Sequence, residues 1–98
     1  MNKRTKALAI SQAVKAKVFR RDNGLCILCG RAGLPEAHYI PRSQGGLGIE
    51  QNIVTLCRFC HNKLDQTTER GELLERVKEH LDLWYPGFLD TDRKYKKE

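Results

Sequence analysis

Two Cys-x-x-Cys pairs constrain the fold of this chain more than any other feature of its sequence. Cys26 and Cys29 form the first pair, and Cys57 and Cys60 form the second. Two residues between thiols let both sulfurs of a turn bind one ion, and two such pairs complete a tetrahedral site. The first residues lack the apolar segment of a secretory signal, which disfavours disulfides. A redox motif would leave the second pair unexplained. We therefore expect a closed, structural Zn²⁺ site that contributes to folding.

The length of the chain explains why such a site would be needed. With 98 residues, of which 40% are hydrophobic, the chain can form one small domain with a thin core. Domains of this size often depend on a metal or on disulfides for stability. No run of about 18 apolar residues occurs, so we expect no membrane-spanning segment and a cytoplasmic location.

The net charge of +6 is concentrated near the start of the chain. Seven basic residues and no acidic residue precede Asp22. A segment of this kind suits a polyanion such as nucleic acid. On charge alone, a solvated tail and a solvated helix face explain it equally well.

Hydrophobic periodicity and capping residues predict a small α+β fold in one domain over residues 11–89, with its core at 24–66. A stripe of Leu73, Val77, Leu81 and Trp84 predicts that the last helix packs on the core through these side chains. The predicted elements are a flexible basic arm at 1–10, a helix at 12–21, strands at 36–40 and 52–56 around a glycine-rich loop at 43–48, helices at 57–66 and 72–84, and a charged, frayed tail at 90–98.

The segment between the two cysteine pairs is longer than in an ordinary zinc ribbon. It has 27 residues, whereas ribbons have roughly 15–20. If its two strands pair, His38 and Asn52 become neighbours. On the following helix, His61 and Asp65 are four residues apart and share one face, which is the spacing for joint binding of a metal.

An imidazole and a carboxylate suit a borderline or hard divalent ion, and His38 has the pKa of a base that takes a proton from water. A histidine base near a hydrated metal on a basic protein is a layout for phosphodiester hydrolysis. Each residue also has a simpler interpretation. His38 can be a half-buried strand histidine, Asn52 can cap a turn, and His61 and Asp65 can be ordinary surface residues of a helix.

Residues 36–46 (EAHYIPRSQGG) and 50–61 (EQNIVTLCRFCH) resemble the HNH endonuclease family, in particular its small bacteriophage and bacterial members with a four-cysteine zinc site. The resemblance covers roughly residues 24–66. It implies a ββα-metal core with a four-cysteine zinc knuckle and with flanking N- and C-terminal helices. It also implies that His38 is the general base, that Asn52 holds the loop and the base in place, and that His61 binds the catalytic metal.

One position departs from the family pattern. Many members place an Asp or a His that binds the metal immediately before the base, whereas this chain has Ala37. We expect Asp65 to substitute as a ligand, and Glu36 to be a poorer candidate because side chains alternate along a strand. The resemblance implies a divalent catalytic metal such as Mg²⁺, Mn²⁺, Ni²⁺ or Zn²⁺.

The expected function is a metal-dependent DNA endonuclease that nicks DNA or cuts both strands. Expected partners are double-stranded DNA and, by analogy with phage relatives, packaging proteins in a bacterial host; we expect a monomer or a weak dimer and no membrane contact. A zinc-stabilised nucleic-acid-binding module without catalysis and a protein-interaction ribbon are the alternatives. The candidate phosphate contacts are Lys15, Lys17, Arg20, Arg21, Arg42, Arg58 and Lys63.

Overall fold

The computed structural model describes residues 2–66 and 68–96, without the side chain of Gln66. It is a small α+β fold in which helices surround one antiparallel hairpin. The elements are α1 (Lys3–Leu8), α2 (Gln12–Arg21), β1 (Leu34–His38), β2 (Ile53–Leu56), α3 (Arg58–Gln66) and α4 (Arg70–Trp84), with 3-10 turns at Arg42–Gln44 and Asp90–Arg93. No helix in the described part of the chain is long and apolar enough to cross a bilayer.

The hairpin brings the two halves of the long insert together. Ala37 pairs with Val54 and His38 pairs with Ile53, with an irregularity in the register between Leu34 and Ala37. Strand β1 begins and ends two residues earlier than predicted, whereas β2 agrees with its prediction to within one residue. Beyond β1, the chain stays attached to the partner strand through the Tyr39 N–H, which donates to the Asn52 carbonyl at 2.8 Å.

The hydrophobic core lies between the hairpin and helices α3 and α4. Its fully buried members include Ala37, Val54, Val77 and Leu81. The prediction that Trp84 joins this core is wrong, because 52% of this residue is exposed at the last position of α4. Tyr85, the next residue along the chain, packs against the core instead.

The N-terminal segment differs from the flexible arm that we predicted. Residues 3–8 form α1, and the Asn2 side chain accepts a hydrogen bond from the Thr5 N–H at 2.7 Å as its N-cap. Leu8 is 2% exposed, and the Ala7 carbonyl accepts a hydrogen bond from the Gly48 N–H at 3.0 Å. The arm is therefore docked on the glycine-rich loop; Met1 lies outside the described residues.

The C-terminal segment also differs from its prediction as a frayed tail. Arg93 is fully buried and donates from Nε to the Gln51 carbonyl at 2.6 Å and from Nη1 to Asp90 at 2.8 Å. Its guanidinium also lies over the rings of Tyr39 and Phe88. These contacts anchor residues 90–94 to the loop after β1, and residues 97–98 lie outside the described part of the chain.

Candidate metal centre and catalytic cleft

The four cysteines come together at one end of the hairpin. One ligand atom from each of Cys26, Cys29, Cys57 and Cys60 lies within 4.8 Å of all the others. The Sγ atoms of Cys29 and Cys57 are 3.5 Å apart, which is too far for a disulfide bond of about 2.05 Å. Zn–S bonds of about 2.3 Å in a tetrahedron place sulfurs about 3.8 Å apart. The spacing and the thiolate chemistry therefore fit a Zn²⁺ ion.

Local structure aims these sulfurs inward. The first pair lies in a turn that the Gly30 N–H closes on the Cys26 carbonyl at 2.9 Å, with Gly30 at a φ of 80°. The second pair lies at the start of α3, where the Cys60 N–H donates to the Cys57 Sγ at 3.4 Å. Among the described residues, these cysteines are the one group of three or more metal-binding side chains.

The thiols differ in how readily they ionise. Burial opposes ionisation of Cys26, but hydrogen bonds from the backbone of Cys57, Cys29 and Leu28 outweigh it and lower the pKa of Cys26 to about 7. Burial and then hydrogen bonds with the neighbouring thiols raise the pKa of Cys60. A divalent cation bound by these sulfurs would favour the thiolate form of the whole group.

His38 ends β1 and lies on a cleft of about 370 Å³. The cleft is lined by Ala9, Ile10, Lys15, Glu36, His38 and Arg42. The Nε2 atom of His38 is 3.0 Å from the Leu8 carbonyl oxygen. Because a carbonyl can only accept, Nε2 carries the proton, and Nδ1 of the neutral ring keeps a lone pair. This ring can therefore accept a proton at Nδ1.

The surroundings of His38 favour this neutral form. Burial is the main cause that lowers the pKa of His38 below its usual 6.5, and the hydrogen bond to Leu8 opposes it. The nearby charges of Arg42 and His61 lower the pKa further. His38 is consequently available as a base at neutral pH.

Asn52 lies just before β2, and its side chain links Ile40, which precedes the glycine-rich loop, to Leu47 within that loop. Its side chain is fully buried, and its Oδ1 accepts from the Ile40 N–H at 2.9 Å. Its Nδ2 donates to the carbonyls of Ile40 at 3.2 Å and Leu47 at 2.9 Å. The amide thus holds the loop closed next to the strand that carries His38.

Helix α3 carries His61 and Asp65, four residues apart on one face. His61 is half-buried and close enough to His38 to lower the pKa of His38, whereas Asp65 is exposed. Ala37 is fully buried in the core. The structure does not bring His61 and Asp65 into a group with a third metal-binding side chain among the described residues.

The predicted phosphate contacts differ in what surrounds them. Lys15 and Arg42 line the His38 cleft, and the Lys15 Nζ is 3.9 Å from the Glu36 carboxylate. Lys17, Arg20 and Arg58 are exposed, while Lys63 pairs with the Glu69 carboxylate at 3.0 Å.

Arg21 differs from the rest of this set because the fold uses its guanidinium internally. Its side chain is 5% exposed, and it donates to Asp22 and to the carbonyls of Glu50 and Ile53. A phosphate would have to displace these partners, so the structure gives Arg21 a role within the fold that the charge pattern did not indicate.

Sequence reasoning did not find two parts of this arrangement. The first is the Leu8 carbonyl. Because every residue carries a backbone carbonyl, the residue type does not indicate which one contacts His38. The second is the buried carboxylate of Asp22, which accepts from Arg21, from the Thr55 N–H at 3.0 Å and from His80 Nε2 at 2.9 Å. This contact gives His80 a structural role within the fold.

Comparisons with known proteins agree with this geometry. The profile of the HNH endonuclease family matches residues 26–73. A stretch of 74 residues is 33% identical to the type IV methyl-directed restriction enzyme EcoKMcrA of Escherichia coli strain K12. That alignment covers 65% of this chain and 27% of the restriction enzyme, so this chain spans about a quarter of that relative. The segment 26–73, with its paired cysteines, hairpin and following helix, is a member of the HNH endonuclease family.

Proposed function

We propose that this protein is a metal-dependent DNA endonuclease in which His38 activates water for hydrolysis of a phosphodiester bond. The observation that carries the proposal is the placement of His38, whose Nε2 is fixed by a carbonyl and which lies on an open cleft beside two cations. Burial also lowers the pKa of His38, which favours the neutral ring. Membership of the HNH endonuclease family and similarity to a restriction enzyme support nuclease activity in general.

Each residue of the cleft has a separate role in the proposed reaction. Lys15 and Arg42 attract the phosphate and offset its charge. His38 accepts the proton of the attacking water at Nδ1, while Nε2 stays bonded to the Leu8 carbonyl. Asn52 takes no part in the bond changes and acts as a positioning residue, because its amide holds the adjoining loop.

His61 and Asp65 are the residues that would hold the catalytic metal. Their imidazole and carboxylate donors lie on one face of α3, and this donor set fits a divalent cation such as Mg²⁺, Mn²⁺, Ni²⁺ or Zn²⁺. When bound, such an ion supplies charge stabilisation at the phosphate and at the leaving oxygen. The cysteine cluster, with no open position, would hold a separate structural Zn²⁺.

Exposed cations extend the surface that DNA would contact. Lys17 and Arg20 lie on α2, the helix that also carries Lys15. Contacts of this kind bind the phosphate backbone of a duplex without reading its sequence. We place the activity in a bacterial cytoplasm, in a monomer or weak dimer, with phage packaging proteins as further partners.

A second candidate function is a nucleic-acid-binding module without catalysis. The observation that favours it is Ala37, which is buried where many family members have a metal ligand. The two candidates agree on zinc and on DNA binding, and they differ in whether the protein breaks a bond.

Plasmid nicking by zinc-loaded protein distinguishes the two candidates. Supercoiled plasmid is incubated with Mg²⁺, Mn²⁺, Ni²⁺ or added Zn²⁺, and the nicked form is measured over time. We expect the wild type to nick and His38→Ala to lower the rate by about 10²–10⁴-fold. His80→Gln, which keeps a donor toward Asp22 and lies outside the cleft, is the control and should nick at the wild-type rate. Retained DNA binding without nicking in any metal would establish the second candidate.

The assignment of the metal ligand has its own test. Asp65→Ala should raise the metal concentration needed for half-maximal nicking, because it removes one of two proposed ligands. The control is Asp92→Ala, an exposed carboxylate in the C-terminal turn. A metal titration that is the same for Asp65→Ala and wild type would reject Asp65 as a ligand.

The surface proposed for DNA is tested by salt dependence. Lys17→Ala and Arg20→Ala should each reduce the slope of log K against log salt concentration by about 0.9 if each residue neutralises one phosphate. Unchanged slopes for both variants would place the DNA on another face.

A further inference from the structure

We infer that helix α1 is a positioning element for His38, and that the Leu8 carbonyl sets the tautomer of the catalytic imidazole. The catalytic consequence of this inference rests on the proposed function. The structural part does not, because it concerns which ring nitrogen carries the proton. Helix α1 lies outside the segment that matches the HNH endonuclease family.

The hydrogen bond determines the state of the ring. The Nε2 atom of His38 lies 3.0 Å from the Leu8 oxygen. A neutral imidazole has one N–H, and bonding it to a carbonyl at Nε2 leaves Nδ1 as the acceptor. If the Leu8 carbonyl moved away, both tautomers would be populated and the ring would lose one constraint on its rotation. Fewer molecules would then present a lone pair at Nδ1.

The end of α1 is held against the glycine-rich loop by close backbone contact. A Cβ atom at Gly48 would lie 2.0 Å from the Ala9 oxygen and 3.0 Å from the Leu8 oxygen. Only a glycine lets the two backbones approach this closely. The Gly48 N–H also donates to the Ala7 carbonyl at 3.0 Å, so a hydrogen bond holds the end of α1 against the loop.

Two further contacts hold α1 in place. The Leu8 side chain is 2% exposed, so it anchors the helix in the protein. Arg4 donates to the Arg42 carbonyl at 3.3 Å. Ala9 and Ile10, which follow α1, line the same cleft as His38. The segment thus supplies both a wall of the cleft and a partner of its base.

Gly48→Ala tests this inference because it pushes α1 away without changing His38. Gly71→Ala is the matched control, since a Cβ at Gly71 meets nothing within 4 Å. Leu8→Ala loosens α1 by a second route, the loss of its buried anchor. The ring ¹⁵N chemical shifts of His38, assigned by comparison with His38→Ala, report the tautomer. Steady-state nicking gives kcat and KM, and circular dichroism checks that each zinc-loaded variant is folded.

In the wild type and in Gly71→Ala we expect the Nε2–H tautomer. In Gly48→Ala and Leu8→Ala we expect a mixture of tautomers and a kcat roughly 3- to 10-fold lower, the equivalent of losing one hydrogen bond, with KM changed less than about twofold.

A pure Nε2–H tautomer and an unchanged kcat in both variants would overturn the inference. So would a wild-type ring protonated at Nδ1. If the wild type does not nick DNA at all, the proposed function fails, but the tautomer measurement still decides whether α1 positions His38.

Discussion

The buried amide of Asn52 offers the sharpest test of how the glycine-rich loop is held. Asn52→Ala removes three hydrogen bonds, to the N–H and carbonyl of Ile40 and to the carbonyl of Leu47. Both bonds to Ile40 are buried, so its N–H and carbonyl would lose this partner away from water. At about 1–3 kcal/mol for each of these two orphaned groups, the substitution should lower the free energy of unfolding by about 2–6 kcal/mol.

Asn52→Asp should be more damaging than Asn52→Ala at neutral pH. The carboxylate keeps the acceptor that faces the Ile40 N–H, but it places a second, charged oxygen against the carbonyls of Ile40 and Leu47. Protonation supplies one donor and removes the charge. The difference between the two variants should therefore shrink as the pH falls.

Urea unfolding of the zinc-loaded proteins, followed by circular dichroism, measures these differences. A loss of 2 kcal/mol or more should also lower the melting temperature by at least about 8 °C in a domain of this size. Asn62→Ala is the control, because Asn62 is exposed on α3 and its replacement should stay within about 0.5 kcal/mol of the wild type. An Asn52→Ala variant as stable as this control would refute the reasoning.

Three further predictions concern the base, the metal centre and the buried carboxylate. Since burial lowers the pKa of His38 below 6.5, the nicking rate should rise with pH along a limb whose midpoint lies below 6.5; a midpoint above that value contradicts the assignment. Cys57→Ser should reduce bound zinc below about one ion per chain and abolish the cooperative unfolding transition; normal folding without zinc would exclude a structural site. Burial opposes ionisation of Asp22, but hydrogen bonds from His80 and Arg21 hold the pKa of Asp22 far below 3.8. Its stabilising effect is therefore present above about pH 3.8 and is lost as the pH falls further. Asp22→Asn should cost about 3–5 kcal/mol at pH 7, because Arg21 stays buried without its anion, and equal stability would refute this.

Much of the fold follows from local features of the sequence. Ser11 accepts a hydrogen bond from the Val14 N–H at 3.2 Å and starts α2 at the predicted residue. The predicted hairpin and the helix that carries His61 are present, although β1 begins two residues early. Capping and hydrophobic periodicity act over a few residues, and for this reason they can be read along the chain.

The two ends of the chain could not be predicted in this way. Their charge suggested solvated segments, yet Leu8 and Arg93 are buried. Arg93 is buried because the Gln51 carbonyl, Asp90 and two aromatic rings surround it, and these partners meet only after folding. A single charged residue carries no sign of whether such partners will be available.

The same distinction between local sequence features and long-range packing applies to the candidate site. The sequence by itself identified the candidate side chains, namely the four thiols, the His38 imidazole, the Asn52 amide and the donors on α3. Only the tertiary structure decided how His38 is held, because its partner is the backbone oxygen of Leu8, 30 residues away. Every residue carries such an oxygen, so residue type cannot identify it. What makes this one a partner is the close approach of α1 to Gly48, which depends on long-range packing.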